Sequence, residues 1–311
     1  KSRIYLQEPM PKRTNNKPKL KISQKKPQTY SLSKNPIEFY VSEETPSYGK
    51  KLFTIYYDNP EHSIRLLKGD CVEILNQARE NSVDMIFADP PYFLSNGGIT
   101  CHAGRMVSVN KGKWDKSRGV EENHKFTLEW LKACQRVLKP NGTIWVSGTT
   151  HIIYLVGFAM QELGYKILND IVWYKRNAPP KHLYNNFPNP TEIFIWAAKN
   201  KKSKHYFDYQ LMKKINNGKQ MRNLWQFPDV EKEIKQSDIS RLKNFPSIPG
   251  EKRFKKFIPQ RPKALLERII LASTKKADLI LDTLCKSSAL GITAVSLNRK
   301  YVGIIPKILK L

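Results

Sequence analysis

The sequence lacks the features that build disulfide-rich, metal-built and membrane-spanning proteins. Its four cysteines, Cys71, Cys101, Cys134 and Cys285, are scattered without a C-x-x-C pair, which excludes a legible disulfide framework and points to reduced thiols in a cytoplasmic setting. The six histidines show no metal-ligand spacing, so no metal is expected. The most apolar stretch, Ile144 to Met160, is broken by Ser147, Gly148, Thr149, Thr150 and His151, so neither a membrane span nor a signal peptide is predicted. The chain begins with Lys1 rather than Met, which reads as a processed or trimmed start. Acidic residues are also scarce. The 27 Asp+Glu face 54 Lys+Arg, a formal charge of +27, so a polyanion is the first expected partner, with lysine-biased composition the plainer alternative. Hydrophobic residues are not scarce, at 40% with 11% aromatic. The 311 residues suffice for one large or two smaller domains with a real core.

Residues 1 to about 50 carry Lys12-Arg13, lysines at 17, 19 and 21, and Lys25-Lys26 among prolines and polar residues, without periodicity. They read as a basic extension outside the core, suited to salt-sensitive phosphate contacts or simply solvated. From Ile64 the pattern sharpens. Ile64 to Asp70 reads as a strand ending in Gly-Asp, Cys71 to Glu80 as a helix, and Asp84 to Ala88 as a second strand. That βαβ unit predicts a parallel sheet. Further on, helices are predicted over Phe126 to Leu138 (stopped by Lys139-Pro140-Asn141-Gly142) and Ile152 to Leu163, and strands over Thr143 to Ser147, Ile167 to Tyr174 and Glu192 to Ala197. Such alternation is doubly wound α/β. The polar stretch between Tyr92 and Arg118 is predicted to be a long loop over the site. Lys199 to Lys256 reads as irregular and basic, with Tyr206, Phe207, Tyr209, Trp225 and Phe227 interleaved. This mix suits phosphate and base contacts, a small satellite core being the alternative. Pro262 opens a helix, Lys263 to Ser273. Then come an acid-tipped strand, Leu279 to Asp282, a turn at Cys285 to Ala289, a helix, Leu290 to Leu297, and a strand, Tyr301 to Ile305. Strand, acid-tipped turn, helix and strand is the layout of a nucleoside-cofactor site.

The chain is organised around Asp84-Met85-Ile86-Phe87-Ala88-Asp89-Pro90-Pro91-Tyr92. Prolines cannot continue a sheet ladder, so the apolar strand stops and presents Asp89 and Tyr92 at its carboxyl end, where open α/β sheets bind ligands. Asp89 is a negative acceptor for an amino group. The two prolines restrict the backbone and leave carbonyls free to accept. Tyr92 offers a face on which a base can stack, worth roughly 1–3 kcal/mol. An exocyclic amine is a poor nucleophile because its lone pair is delocalised into the ring. An acid and a carbonyl that accept its two N–H bonds push that lone pair towards an electrophile, and a methyl donor activated as a sulfonium requires no metal.

With these residues in place, the chain resembles the amino-methyltransferases of restriction–modification systems, in the permuted class whose catalytic motif precedes the S-adenosylmethionine motif. Ala88 to Gly98 and Lys113-Trp114-Asp115 are similar to the DNA adenine methyltransferases that accompany GATC-type restriction enzymes. The resemblance implies a doubly wound, mostly parallel α/β sheet of the Rossmann-like methyltransferase fold, with an inserted irregular DNA-recognition region. The divisions are a basic extension over 1–60, a catalytic part over 61–180, a recognition region over 181–257 and a cofactor-binding part over 258–311. It implies methyl transfer from S-adenosylmethionine to the N6 amino group of a flipped-out adenine, with Asp89, Pro90, Pro91 and Tyr92 catalytic. Asp70, Cys71, Asp89, Arg261, Asp282, Cys285 and Ser287 are implied at the cofactor. The implied partners are double-stranded DNA, with single strands the alternative, and a cognate restriction endonuclease system; there is no membrane, and the chain is a monomer or homodimer. The cofactor half departs from the family pattern: Lys286 and Ser288 replace glycines, Ile305 stands where an acid is usual, and the His-Pro-Thr-Gln-Lys-Pro stretch reads Phe257-Ile258-Pro259-Gln260-Arg261-Pro262. A catalytically impaired DNA-binding relative or subunit, and a cytosine-N4 enzyme, are therefore the alternative readings.

Overall fold

The computed structural model describes residues 39, 41, 53–93, 99–102, 105–108, 116–176, 187–227, 261–287 and 289–306. The basic clusters before Lys34, the Lys111 to Asp115 stretch, the Lys252 to Lys256 clusters and Ser288 lie outside them. In chain order the elements are β1 (Phe53–Asn59), β2 (Ile64–Gly69), α1 (Cys71–Gln77), β3 (Val83–Ala88), β4 (Ile99–His102), β5 (Arg105–Ser108), α2 (Val120–Val137), β6 (Leu138–Gly148), α3 (Ile153–Glu162), β7 (Lys166–Lys175), β8 (Thr191–Ala198), α4 (Tyr209–Ile215), β9 (Leu224–Phe227), α5 (Lys263–Ser273), β10 (Leu279–Asp282), α6 (Ala289–Ser296) and β11 (Lys300–Pro306).

Nine strands form one sheet in the order β1-β2-β11-β10-β3-β6-β8-β7-β9. Its centre, β2 to β6, is parallel. The flanks are mixed: β1 runs antiparallel to β2, and β8 is antiparallel to both β6 and β7. Central strands are apolar on both faces because helices cover both. Ile86 and Ala88 point into one core with Leu75, Trp130, Leu131, Val156 and Met160 of α1–α3. Met85 and Phe87, one residue out of phase, point into the other with Leu265, Ile269 and Leu290 of α5 and α6. The doubly wound reading follows from this period of two.

The last two strands in sequence, β10 and β11, lie between β2 and β3. The chain therefore leaves β3 in one direction and β10 in the other, and a crevice opens beyond the carboxyl ends of this adjacent pair. Asp89 and the turn after Asp282 meet there.

The structure refines several expectations. Helix α1 ends at Gln77, three residues early, because Ala78 turns extended and bridges Val41. Phe39 is 1% exposed within the core, so the extension contributes to it. Helix α2 starts at Val120, six residues early. Lys139 to Gly142 enter β6 through an irregular register around Pro140 instead of forming a separate turn. The stretch after Tyr92 carries an antiparallel pair, β4 and β5. Within the basic stretch predicted to be irregular, α4 and β9 are regular. β9 joins the main sheet, and Trp225 and Phe227 are buried in its core. Among the described residues, no helix is long and apolar enough to cross a membrane.

Candidate active site

Asp89 follows β3 directly, and its neighbours on the parallel strand β6 bring Ser147 alongside. The carboxylate is held asymmetrically. Its Oδ1 accepts from Ser147 Oγ at 2.7 Å, Tyr92 OH at 2.8 Å and Arg261 Nη2 at 2.8 Å. Arg261 reaches in from just before α5, and the same nitrogen also donates to Tyr92 OH at 2.7 Å and Ser147 Oγ at 3.0 Å. Its Nη1 pairs with Glu192 of β8, whose other oxygen takes Lys175 at the end of β7. From the opposite side, Lys286 Nζ donates to the backbone carbonyl of Asp89 at 2.7 Å and lies 3.7 Å from its Oδ2. Pro90, Pro91 and Tyr92 are buried. Phe93 closes the motif with a φ of 54°, a left-handed turn uncommon for an aromatic residue.

The electrostatics follow from this packing. Burial works to raise the pKa of Asp89, but the Lys286 ammonium and the Arg261 guanidinium outweigh it and hold the group well below the usual carboxylate range. Glu192 is likewise lowered, burial being overcome by Arg261 and Lys175. Burial pushes the Tyr92 phenol well above its ordinary value despite Arg261 beside it. The site is therefore a fixed set of charges: two carboxylates among three cations.

One turn away, burial raises Asp282 to about 7. Its Oδ1 accepts from Leu284 N at 3.2 Å and its Oδ2 from Tyr301 OH at 3.2 Å. Thr283 N donates to Phe87 O, and Cys285 N to Ile304 O at 2.8 Å, tying the turn to both neighbouring strands. At Gly303 an added Cβ would come within 2.8 Å of Leu66 Cδ2 and 3.0 Å of Cys285 Sγ, so glycine permits this close packing.

Of the residues singled out from sequence, Asp89, Pro90, Pro91, Tyr92 and Arg261 converge on one point. Asp282, Cys285 and Ser287 share the adjoining turn, with Lys286 joining the two groups. Asp70 caps α1 at the end of β2, accepting from Val72 N at 2.9 Å and Glu73 N at 3.1 Å. Cys71 points into the core and is pushed up to about 12, chiefly by burial. Ser147, Glu192 and Lys175 were not singled out. Glu192 carried a signal, as an acid at the head of an apolar run that buries only when paired.

The turn between β10 and α6 fits a cationic amino-acid ligand such as S-adenosylmethionine. Thr283 Oγ1 is buried and finds no hydrogen-bond partner among the described residues. Asp282 and Asp89 offer carboxylates. Among the described residues no cluster of His, Cys, Asp and Glu is arranged to hold a metal ion.

The DNA methylase family profile matches residues 83–307. Type II methyltransferase M2.LlaDCHI of Lactococcus lactis subsp. cremoris is 46% identical over 258 residues, 83% of this chain and 89% of that protein. M2.DpnII of Streptococcus pneumoniae is 45% identical over 83% of this chain and 90% of its own length, and M2.MboI of Moraxella bovis is 42% identical over 80% and 85%. Among solved structures, PvuII DNA methyltransferase (cytosine-N4-specific) has a TM-score of 0.57 at 18% identity, covering 78% of this chain and 82% of its own. The complex of M1.HpyAVI with SAM has a TM-score of 0.51 at 21% identity, covering 78% and 93%; both share the fold. With residues 83–307 of 311 inside the profile and relatives 42–46% identical along most of its length, the chain belongs to the DNA methylase family.

Proposed function

We propose that this DNA methyltransferase acts on the exocyclic N6 amine of adenine, as the modifying arm of a type II restriction–modification system. The observation that carries the proposal is the asymmetry of Asp89. Three donors pin Oδ1, while Oδ2 makes only the 3.7 Å contact to Lys286 among the described residues. Oδ2 and a backbone carbonyl of the Asp89-Pro90-Pro91 segment accept the two N–H bonds of the amine, concentrating its lone pair on nitrogen. S-adenosylmethionine, when bound, supplies a methyl group already activated on sulfonium. The methylated nitrogen is cationic and sheds a proton. Asp89, paired with Arg261 throughout, acts as a hydrogen-bond acceptor and the proton leaves to water. Tyr92 contributes its ring to stacking and its hydroxyl to holding Asp89.

The donor site is assigned to Asp70, Asp282, Thr283, Cys285 and Ser287, with Arg261 and Asp89 between donor and base. Cys71 supports the start of α1 from the core side. Residues 61–180 and 258–311 supply the catalytic and donor-binding parts, and 181–257 supplies sequence recognition outside β8 and β9. The charge of +27 suits the phosphate backbone of DNA.

The test is transfer from radiolabelled S-adenosylmethionine to unmethylated duplex and single-stranded DNA, followed by digestion to nucleosides. Label in N6-methyladenine is expected. Label in N4-methylcytosine would move the target to cytosine, and no label in any nucleoside would refute the reading. Asp89→Ala is expected to abolish transfer, at least about a thousandfold, with DNA affinity in a filter assay nearly unchanged. Retained transfer removes Asp89 from the chemistry.

A further inference from the structure

Lys286 stands in the turn after β10, which is anchored to both neighbouring strands through Thr283 and Cys285. From there its ammonium reaches across to β3. It donates to a backbone carbonyl and lies beside a carboxylate oxygen of the same residue, Asp89. Those are the two acceptor types that a substrate amine needs, and Oδ1 is already taken by Tyr92, Ser147 and Arg261. An ammonium placed there does what the amine of a target base does.

The charge pattern makes this occupant removable. Lys175 pairs with Glu192, and Arg261 bridges Glu192 and Asp89. Asp89 and Glu192 each keep a cation without Lys286. The Lys286 side chain is about one-fifth exposed, on a flexible four-carbon stem.

We propose that Lys286 is a specificity-determining plug: in the DNA-free enzyme its ammonium fills the acceptor pair of Asp89, and a base enters productively only by replacing that ammonium with an amine of its own. A base without an exocyclic amine offers nothing to satisfy the vacated acceptors. The proposal rests on the reading of Asp89 as the acceptor for the target amine.

The sign of the expected effect separates it from the general attraction of a basic protein to DNA. Removing a lysine from a DNA-binding surface weakens DNA binding. Removing the plug strengthens productive binding, because the base no longer competes with an internal donor. For Lys286→Ala and Lys286→Met, KM for DNA is expected to fall about tenfold, the size of one charge-assisted hydrogen bond, with kcat not reduced. Donor binding by calorimetry is expected to be retained in both variants. Lys286→Met keeps the volume of the stem and guards against a collapsed turn. An unchanged or raised KM in both variants overturns the plug, as does loss of donor binding in Lys286→Met, which would make Lys286 a ligand of the donor. A wild-type protein that methylates no base fails at the earlier step and overturns the acceptor reading itself.

Discussion

Replacing Arg261 with Met removes the central cation of a chain that runs Lys175, Glu192, Arg261, Asp89 and Lys286. The Arg261 and Glu192 side chains are each 13% exposed, so the interaction is poorly screened by water. Breaking buried pairs of this kind costs about 3–5 kcal/mol, here at the low end because Glu192 keeps Lys175 and Asp89 keeps Lys286. Glu192→Gln is costly for the opposite reason: the cluster, at one net positive charge, rises to two as Lys175 and Arg261 face each other across a neutral amide. The double variant returns the cluster to one net positive charge, with Lys286 beside Asp89 and Lys175 able to turn to solvent. Its cost is therefore expected to fall short of the sum of the single costs by about 2 kcal/mol. Urea unfolding at pH 7.5, followed by tryptophan fluorescence, measures all four corners, since Trp145, Trp173, Trp196 and Trp225 are buried on the same face of the sheet. Additivity to within about 0.5 kcal/mol would refute the coupled network.

Two further predictions concern the turn after β10. Gly303→Ala places a methyl group 2.8 Å from Leu66 Cδ2 and 3.0 Å from both Cys285 Sγ and Tyr301 OH, and is expected to cost about 1–3 kcal/mol; an unchanged melting temperature would show that the turn yields freely. Asp282 is raised by burial from 3.8 to about 7, so the folded protein holds this proton more tightly than the unfolded chain. Its contribution is most favourable below pH 4 and is lost as pH rises to 7, opposite to Asp89 and Glu192, whose lowered values give stability that is lost only as acid protonates them. Asp282→Asn is therefore expected to be more stable than wild type at pH 8, by up to about 4 kcal/mol, with the gap closing towards pH 4. Parallel stability curves would contradict the assignment.

The strand tipped by Asp-Pro-Pro-Tyr was legible because each of its signals is local: an apolar run, two residues that cannot extend a ladder, and polar groups left at the carboxyl end. The helix-strand alternation after Phe126 was legible for the same reason. Leu224-Trp225-Gln226-Phe227 alternates with the period of a strand, yet its basic surroundings hid a strand of the main sheet. Phe39 was hidden in the same way, a lone aromatic among polar residues whose burial depends on a tertiary site for its ring. The contacts that fix Asp89 come from further away still. Ser147 lies 58 residues along the chain and Arg261 lies 172, and only the placement of β10 beside β3 brings Lys286 into reach. Sequence can mark which groups must find partners, because a carboxylate at the head of a buried strand is too costly to leave alone. The identity of the partner depends on strand order, where neighbouring β6 and β8 bring Ser147 and Glu192 to Arg261. That order arises from long-range packing, so a physical reading of the chain could flag Glu192 as needing a cation without showing that the cation would also hold Asp89.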